Sequence, residues 1–280
     1  MFRGDRALNG AIVMAAGTAI YGCALLIVAF VGDGRLRFTA DNAGTVPMWH
    51  PWIPAVVGIA LVLLTRHPPA PLPCRATGTR VRVEAVALLS LALCFTVLLE
   101  VLGPDEPRYT VLKLALLLCG PATVFAMSRR WPQPHTVQEH RAGWLPLIPV
   151  IGWSACHLML SATRPAGESG MDLPTLLVVL VIGFLLNAVI EELFYRRWLQ
   201  SRWAALLGGV WPAIVLSSIA WASWHIAIQG SGNLLADLAN VIANQGVTGL
   251  FLGLLWQRHQ VLWPLLVVHG LMNVNPFMIF

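Results

Sequence analysis

Charge is scarce in this chain. Asp, Glu, Lys and Arg make up 11% of its 280 residues, against about 25% in soluble proteins. An apolar fraction of 57% and a mean hydropathy of +0.71 leave more apolar side chain than one soluble core could hide. Lysine is nearly missing: Lys113 stands alone beside seventeen arginines. The five cysteines, Cys23, Cys74, Cys94, Cys119 and Cys156, are too scattered for a C-x-x-C site or a disulfide framework. They read as small apolar residues within helices. No P-loop, G-x-G-x-x-G, G-x-S-x-G or H-E-x-x-H occurs, which removes nucleotide chemistry, a serine elbow and the commonest zinc helix. The pI of about 9.3 invites a nucleic-acid partner. The arginines, however, fall in short gaps between apolar runs, a pattern set by membrane topology, so no nucleic acid is expected.

What the chain has in abundance is apolar runs of membrane-spanning length. They lie at about 10–31, 51–65, 84–103, 109–127, 144–161, 172–190, 210–228, 237–257 and 261–278. Trp49 and Trp52 would mark the interfacial start of the short second run. The fold class expected is therefore all-α, a polytopic membrane bundle of eight or nine transmembrane helices. With nine spans and a cytoplasmic N-terminus, thirteen arginines fall on inside segments. Only four, Arg35, Arg37, Arg108 and Arg164, fall outside. That bias predicts a multi-pass cell-membrane protein with its C-terminus outside. The stretch His67-Pro68-Pro69-Ala70-Pro71-Leu72-Pro73 reads as a stiff linker. Polar residues inside apolar runs concentrate late, which divides the chain into a supporting region, 1–171, and a working region, 172–280.

Ionisable groups in membrane helices are costly and usually face the bundle interior. Glu191 and Glu192 are adjacent, about 100° apart on a helix. Glu192 and Arg196 have the favourable i, i+4 order for an ion pair. Glu191 shares its face with Asn187 and Tyr195 and lacks an obvious cationic partner within its own helix. A carboxylate without a cation at low dielectric is a better proton acceptor than a paired one, which suits a general base. Trp221 and His225 share a face, as do His269 and Asn273. In the eighth run Asn240, Asn244 and Thr248 recur at four-residue spacing, and Gly249 and Gly253 allow close helix approach; both features read as packing. His157 and Glu100 are weaker candidates, a local hydrogen-bonding group and a boundary charge.

Glu191, His225 and His269 have the composition of a zinc ligand set. The metal-free alternative gives every group a task. Glu191 takes a proton from water, His225 orients that water, and His269 with Asn273 stabilises the oxyanion formed on a carbonyl. No cofactor is then needed, and zinc stays the alternative. One geometric difficulty stands: straight spans put Glu191 near the cytoplasmic end of the sixth helix and His225 well along the seventh, over about 15 Å away.

Glu191-Glu192-Leu193-Phe194-Tyr195-Arg196 matches E-E-x-x-x-R, Trp221–His225 matches F-x-x-x-H with Trp for Phe, and His269–Asn273 matches H-x-x-x-N. In this order across late membrane helices, the set resembles the CPBP family of CAAX proteases and bacteriocin-processing intramembrane endopeptidases. The resemblance covers roughly residues 172–277 and includes the run Leu262–His269. It implies hydrolysis of membrane-associated peptides or proteins, with that substrate and the lipid bilayer as partners. It implies Glu191 as base, Glu192 and Arg196 as its support, His225 as water-orienting group, and His269 with Asn273 as oxyanion site. Two other classes compete. A non-catalytic peptide-binding or immunity protein would keep the cluster as a pocket. A proton-coupled carrier would show paired broken helices in both halves, whereas the polar residues here keep to one.

Overall fold

The computed structural model describes residues 3–37, 44–65, 78–131, 143–161 and 172–273. The Pro-rich stretch 67–73, Cys74, Arg66, Arg75, Arg141, Arg164 and the end of the ninth run lie outside them. The described residues form ten helices and one short ribbon: α1 (Arg3–Phe30), β1 (Arg35–Arg37), β2 (Thr45–Pro47), α2 (Trp49–Leu64), α3 (Thr79–Leu102) and α4 (Arg108–Ser128). They continue with α5 (Leu147–Ser161), α6 (Leu173–Leu206), α7 (Val210–Ser223), α8 (Ile226–Gln229), α9 (Leu234–His259) and α10 (Trp263–Asn273).

Each of the nine apolar runs contains a helix, but among the described residues five, not eight or nine, are long and apolar enough to cross a membrane: α1, α3, α4, α6 and α9. The correction has a simple cause. Helices α2, α5 and α7 hold 16, 15 and 14 residues, and at 1.5 Å per residue they reach only about 21–24 Å of a hydrocarbon layer near 30 Å. Apolar composition marked these segments, while flanking turns shortened the helices themselves. Helix α6 errs in the opposite direction. It runs 34 residues, far past the expected end at 190.

Burial separates the spans by role. In α9, 78% of the most apolar window is buried, against 11–28% in the other four, so α9 is the axis of the bundle. It packs on α2 and α7, and α2 packs on α5. Gly249 and Gly253 serve the packing expected of them. A Cβ on Gly249 would meet Ser218 and Trp221 of α7, and one on Gly253 would meet Gln200 and Ile214. The exposed Leu177, Val178, Val181 and Leu185 on α6 form apolar surface that needs lipid.

The amides of α9 do something less expected. Asn240 accepts a hydrogen bond from Arg37 N at 2.9 Å and Asn244 donates to Arg37 O at 2.9 Å. Two side chains four apart thus grip both sides of one strand residue and fasten the β1–β2 ribbon to the bundle. Arg37 then donates to the carbonyls of Gln229 and Gly230, at 3.0 and 2.8 Å. Trp52 is likewise tied inward: its indole donates to Ala243 O at 2.7 Å, while Trp49 is exposed.

Arginines gather at one end of the bundle. Glu84 near the start of α3 meets Arg80 at 2.9 Å and Arg202 at 3.1 Å, and accepts from Ser128 at 2.6 Å. Arg258 donates to Thr65 O at 2.7 Å. The α6–α7 turn sits beside Arg6, where Gly208 has a φ of +69° that favours glycine.

Candidate active site

Helices α6 and α7 form an antiparallel hairpin closed by Leu207-Gly208-Gly209. Glu191 lies fifteen residues before Leu206, and Trp221 and His225 lie eleven and fifteen after Val210. Equal path lengths on either side of a turn bring these positions level. The expected separation is therefore absent: Trp221 Nε1 donates to Glu191 Oε2 at 2.5 Å. The longer α6 is what removes the difficulty, because Glu191 sits mid-helix rather than at its end. Wide π-helical turns at Phe184–Val189 and Glu192–Gln200 flank it, a distortion often found where function interrupts a regular helix.

Glu191 is not alone. Lys113, the single lysine, reaches from α4 and pairs with Glu191 Oε1 at 2.5 Å; the two side chains are 0% and 1% exposed. Its other donors go to Tyr109 OH at 2.5 Å and Asn187 Oδ1 at 2.7 Å, which accounts for all three ammonium N–H groups. The expectation of a carboxylate without a cation held only within α6, because the cation comes from another helix. Lys113 was missed as a site residue. Its signal was present, since one lysine in an arginine-rich chain stands inside an apolar run.

Glu192 faces differently, as the 100° offset requires. It accepts from His269 Nδ1 at 2.7 Å and pairs with Arg196 Nε at 3.4 Å. His269 Nε2 is 3.8 Å from Glu191 Oε2, so one imidazole bridges the two carboxylates. The Arg196 guanidinium stacks over Trp221, 4.5 Å from its ring centroid, and makes no hydrogen bond among the described residues. Glu191 and Glu192 thus face Lys113 and Arg196 in one buried cluster, opposite charges set together as low dielectric demands.

Trp221 carries more than an aromatic wall. Its ring meets His225 edge-on, centroids 5.1 Å apart, and its N–H holds Glu191, a bond that Phe could not make. His225 Nδ1 lies 3.1 Å from Trp221 O, and its ring stacks on Trp224 at 3.9 Å. Glu191, Trp221, His225, His269 and Asn273 all line one cavity of about 530 Å³. Glu192 and Arg196 stand behind that wall. Asn273 is exposed at the end of α10. His157 also lines the cavity, stacked on Trp153 at 4.6 Å, while Glu100 is an exposed boundary residue, as expected. Among the described residues no three His, Cys, Asp or Glu side chains form a metal-holding group.

Fold and cavity together define a multi-pass membrane protein with a buried Glu–Lys–His cluster beside a peptide-sized cleft. Residues 173–275 match the family described as type II CAAX prenyl endopeptidase Rce1-like. Over that region the chain is similar to the CPBP/Rce1-like family of CAAX-type proteases. No curated protein and no solved structure gives a match to the chain.

Proposed function

We propose that the chain is an intramembrane endopeptidase that hydrolyses peptide bonds of membrane-associated proteins or peptides without a bound metal. The observation that carries this reading is Glu191, held between Lys113 and Trp221 on the wall of a cavity shared with His225, His269 and Asn273. Each carboxylate oxygen has a second lone pair, so a cavity water can still hydrogen-bond to Glu191. His225 commits Nδ1 to a backbone carbonyl and orients that water with Nε2. Glu191 takes one water proton while the oxygen bonds to the scissile carbonyl carbon. The oxyanion is met by Asn273 and by His269, which as an imidazolium donates from Nε2 while Glu192 balances its charge through Nδ1. Collapse breaks the C–N bond, and the proton on Glu191 passes to the leaving amine.

Lys113 and Trp221 are positioning residues in this scheme. They fix the carboxylate, and Lys113 offsets its charge. Arg196 does the same for Glu192. Cleavage of a membrane-tethered peptide library by the purified protein, with and without a strong chelator, tests the reading. About one zinc per active chain, lost in His225→Ala and His269→Ala and joined to chelator-sensitive turnover, would replace it with a zinc mechanism.

We further propose that the arginine-rich end faces the cytoplasm, by the thirteen-to-four bias. The cavity is lined at its exposed rim by Pro104 and Asn273. These close α3 and α10, helices that start at the arginine-rich end, so substrate enters from the outer side. Reporters fused after Phe280 check this, and a cytoplasmic C-terminus would reverse it.

A further inference from the structure

We infer that Gln229 and Gln245 form a subsite that reads the backbone of an extended peptide, pairing with the N–H and C=O of a single residue near the cleaved bond. This rests on the hydrolase reading for the identity of the occupant. The geometry stands on its own. Both side chains line the cavity that holds Glu191 and His225, and they are 7% and 6% exposed. Gln245 Nε2 donates to Gln229 Oε1 at 2.9 Å. That bond leaves Gln245 Oε1 buried with no hydrogen bond among the described residues, while the Gln229 amide keeps N–H donors of its own. Reversing both amides leaves one donor and one acceptor just the same.

The pair is held rigidly. Gln229 N donates to His225 O at 2.9 Å, which sets Gln229 one turn beyond the water-orienting histidine. Its carbonyl is fixed by Arg37, itself clamped by Asn240 and Asn244. Gln245 sits in a wide π-helical turn, Ile242–Gly246. The carbonyls of Ala243 and Gly246 there are taken by Trp52 and by Tyr21, at 2.7 and 2.9 Å. Helices α1 and α2 thus brace the turn that presents Gln245.

An acceptor left unmatched in a buried wall is costly. The cavity-lining Trp153 and Trp224 also keep indole N–H groups without partners among the described residues. A hydrocarbon chain in this cavity would satisfy none of these groups. A residue of an extended strand presents its N–H and C=O on the same edge, the complement of one acceptor beside one donor.

The test uses a membrane-tethered peptide substrate, unmodified or N-methylated at one backbone position at a time. KM is measured with the wild type and Kd with the catalytically silent Glu191→Gln/Lys113→Met protein. One position within a few residues of the cleaved bond should raise KM and Kd about tenfold when methylated. Gln245→Leu, added to either protein, should erase that penalty by weakening binding of the unmodified peptide. Gln229→Met, which removes the partner orienting Gln245, should do the same, and melting temperatures identify any variant that fails to fold. A penalty that survives both substitutions, or no sensitive position, overturns the subsite. Discrimination in Kd without cleavage by the wild type would leave the subsite standing and end the hydrolase reading. Cleavage indifferent to both glutamines would do the reverse.

Discussion

The two halves of the chain differ in how they carry the site. Region 172–273 brings Glu191, Glu192, Arg196, His225, His269 and Asn273, all at short regular spacings that a linear reading detects. The region before it contributes few polar groups, yet one of them is the cation bonded to Glu191, and Tyr109 beside it completes that cation's shell. A motif records residues whose spacing along one helix matters. A counter-charge can come from any helix the bundle brings alongside, so it leaves no fixed spacing. The half read as support supplies charge balance, and the difference between the halves is one of legibility more than of importance.

The largest effect expected is from Glu191→Gln, which should lower turnover by roughly a thousandfold or more. Robust cleavage by that protein would end its assignment as base. It should also melt earlier than wild type, because Lys113 keeps its charge without a counter-ion. The sharper test lies in the other half. Lys113→Met should cost about 3–5 kcal/mol of stability, the usual result of stripping a buried pair of one member. The double variant Glu191→Gln/Lys113→Met should recover most of that stability and none of the activity. If Lys113→Met is as stable and active as wild type, the N-terminal half is support alone.

Next come His269→Ala and Asn273→Ala. Each removes an oxyanion donor and should lower kcat by roughly a hundredfold to a thousandfold with little change in KM. Of the two, only His269→Ala should lower the melting temperature clearly, since it bares Glu192. Trp221→Phe should be milder. It deletes one hydrogen bond to a carboxylate, about 1.5–3 kcal/mol, and keeps the ring beside His225; unchanged kcat would show that the indole N–H does not position Glu191. The smallest effect belongs to Val97→Ala on the exposed face of α3, expected within about 0.5 kcal/mol.

Much of this was legible in sequence. The apolar runs all hold helices, and Glu191, Glu192, Arg196, His225, His269 and Asn273, which interrupt or end them, line or back a single cavity. The packing role of Gly249 and Gly253 was also readable, because small residues four apart mean close approach wherever they occur. The span count was not, since hydropathy reports the composition of a segment and not where its helix stops. Helix α7 ends at Ser223 although apolar residues continue to Ile228, and α6 continues through a polar stretch because that stretch is buried against α7 and α9.

Sequence alone determined the medium, the helical class and the family-like order of Glu, His and Asn, because composition and i, i+4 spacing are local properties that no partner can change. Tertiary structure decided which carboxylate meets which cation. It gave His269 to both glutamates, joined Lys113 to Glu191 across helices, and set Gln245 against Gln229. Those pairings depend on the lengths of α6 and α7 and on the axial place of α9, and lengths and crossings are settled only when the buried faces of all the helices are satisfied together.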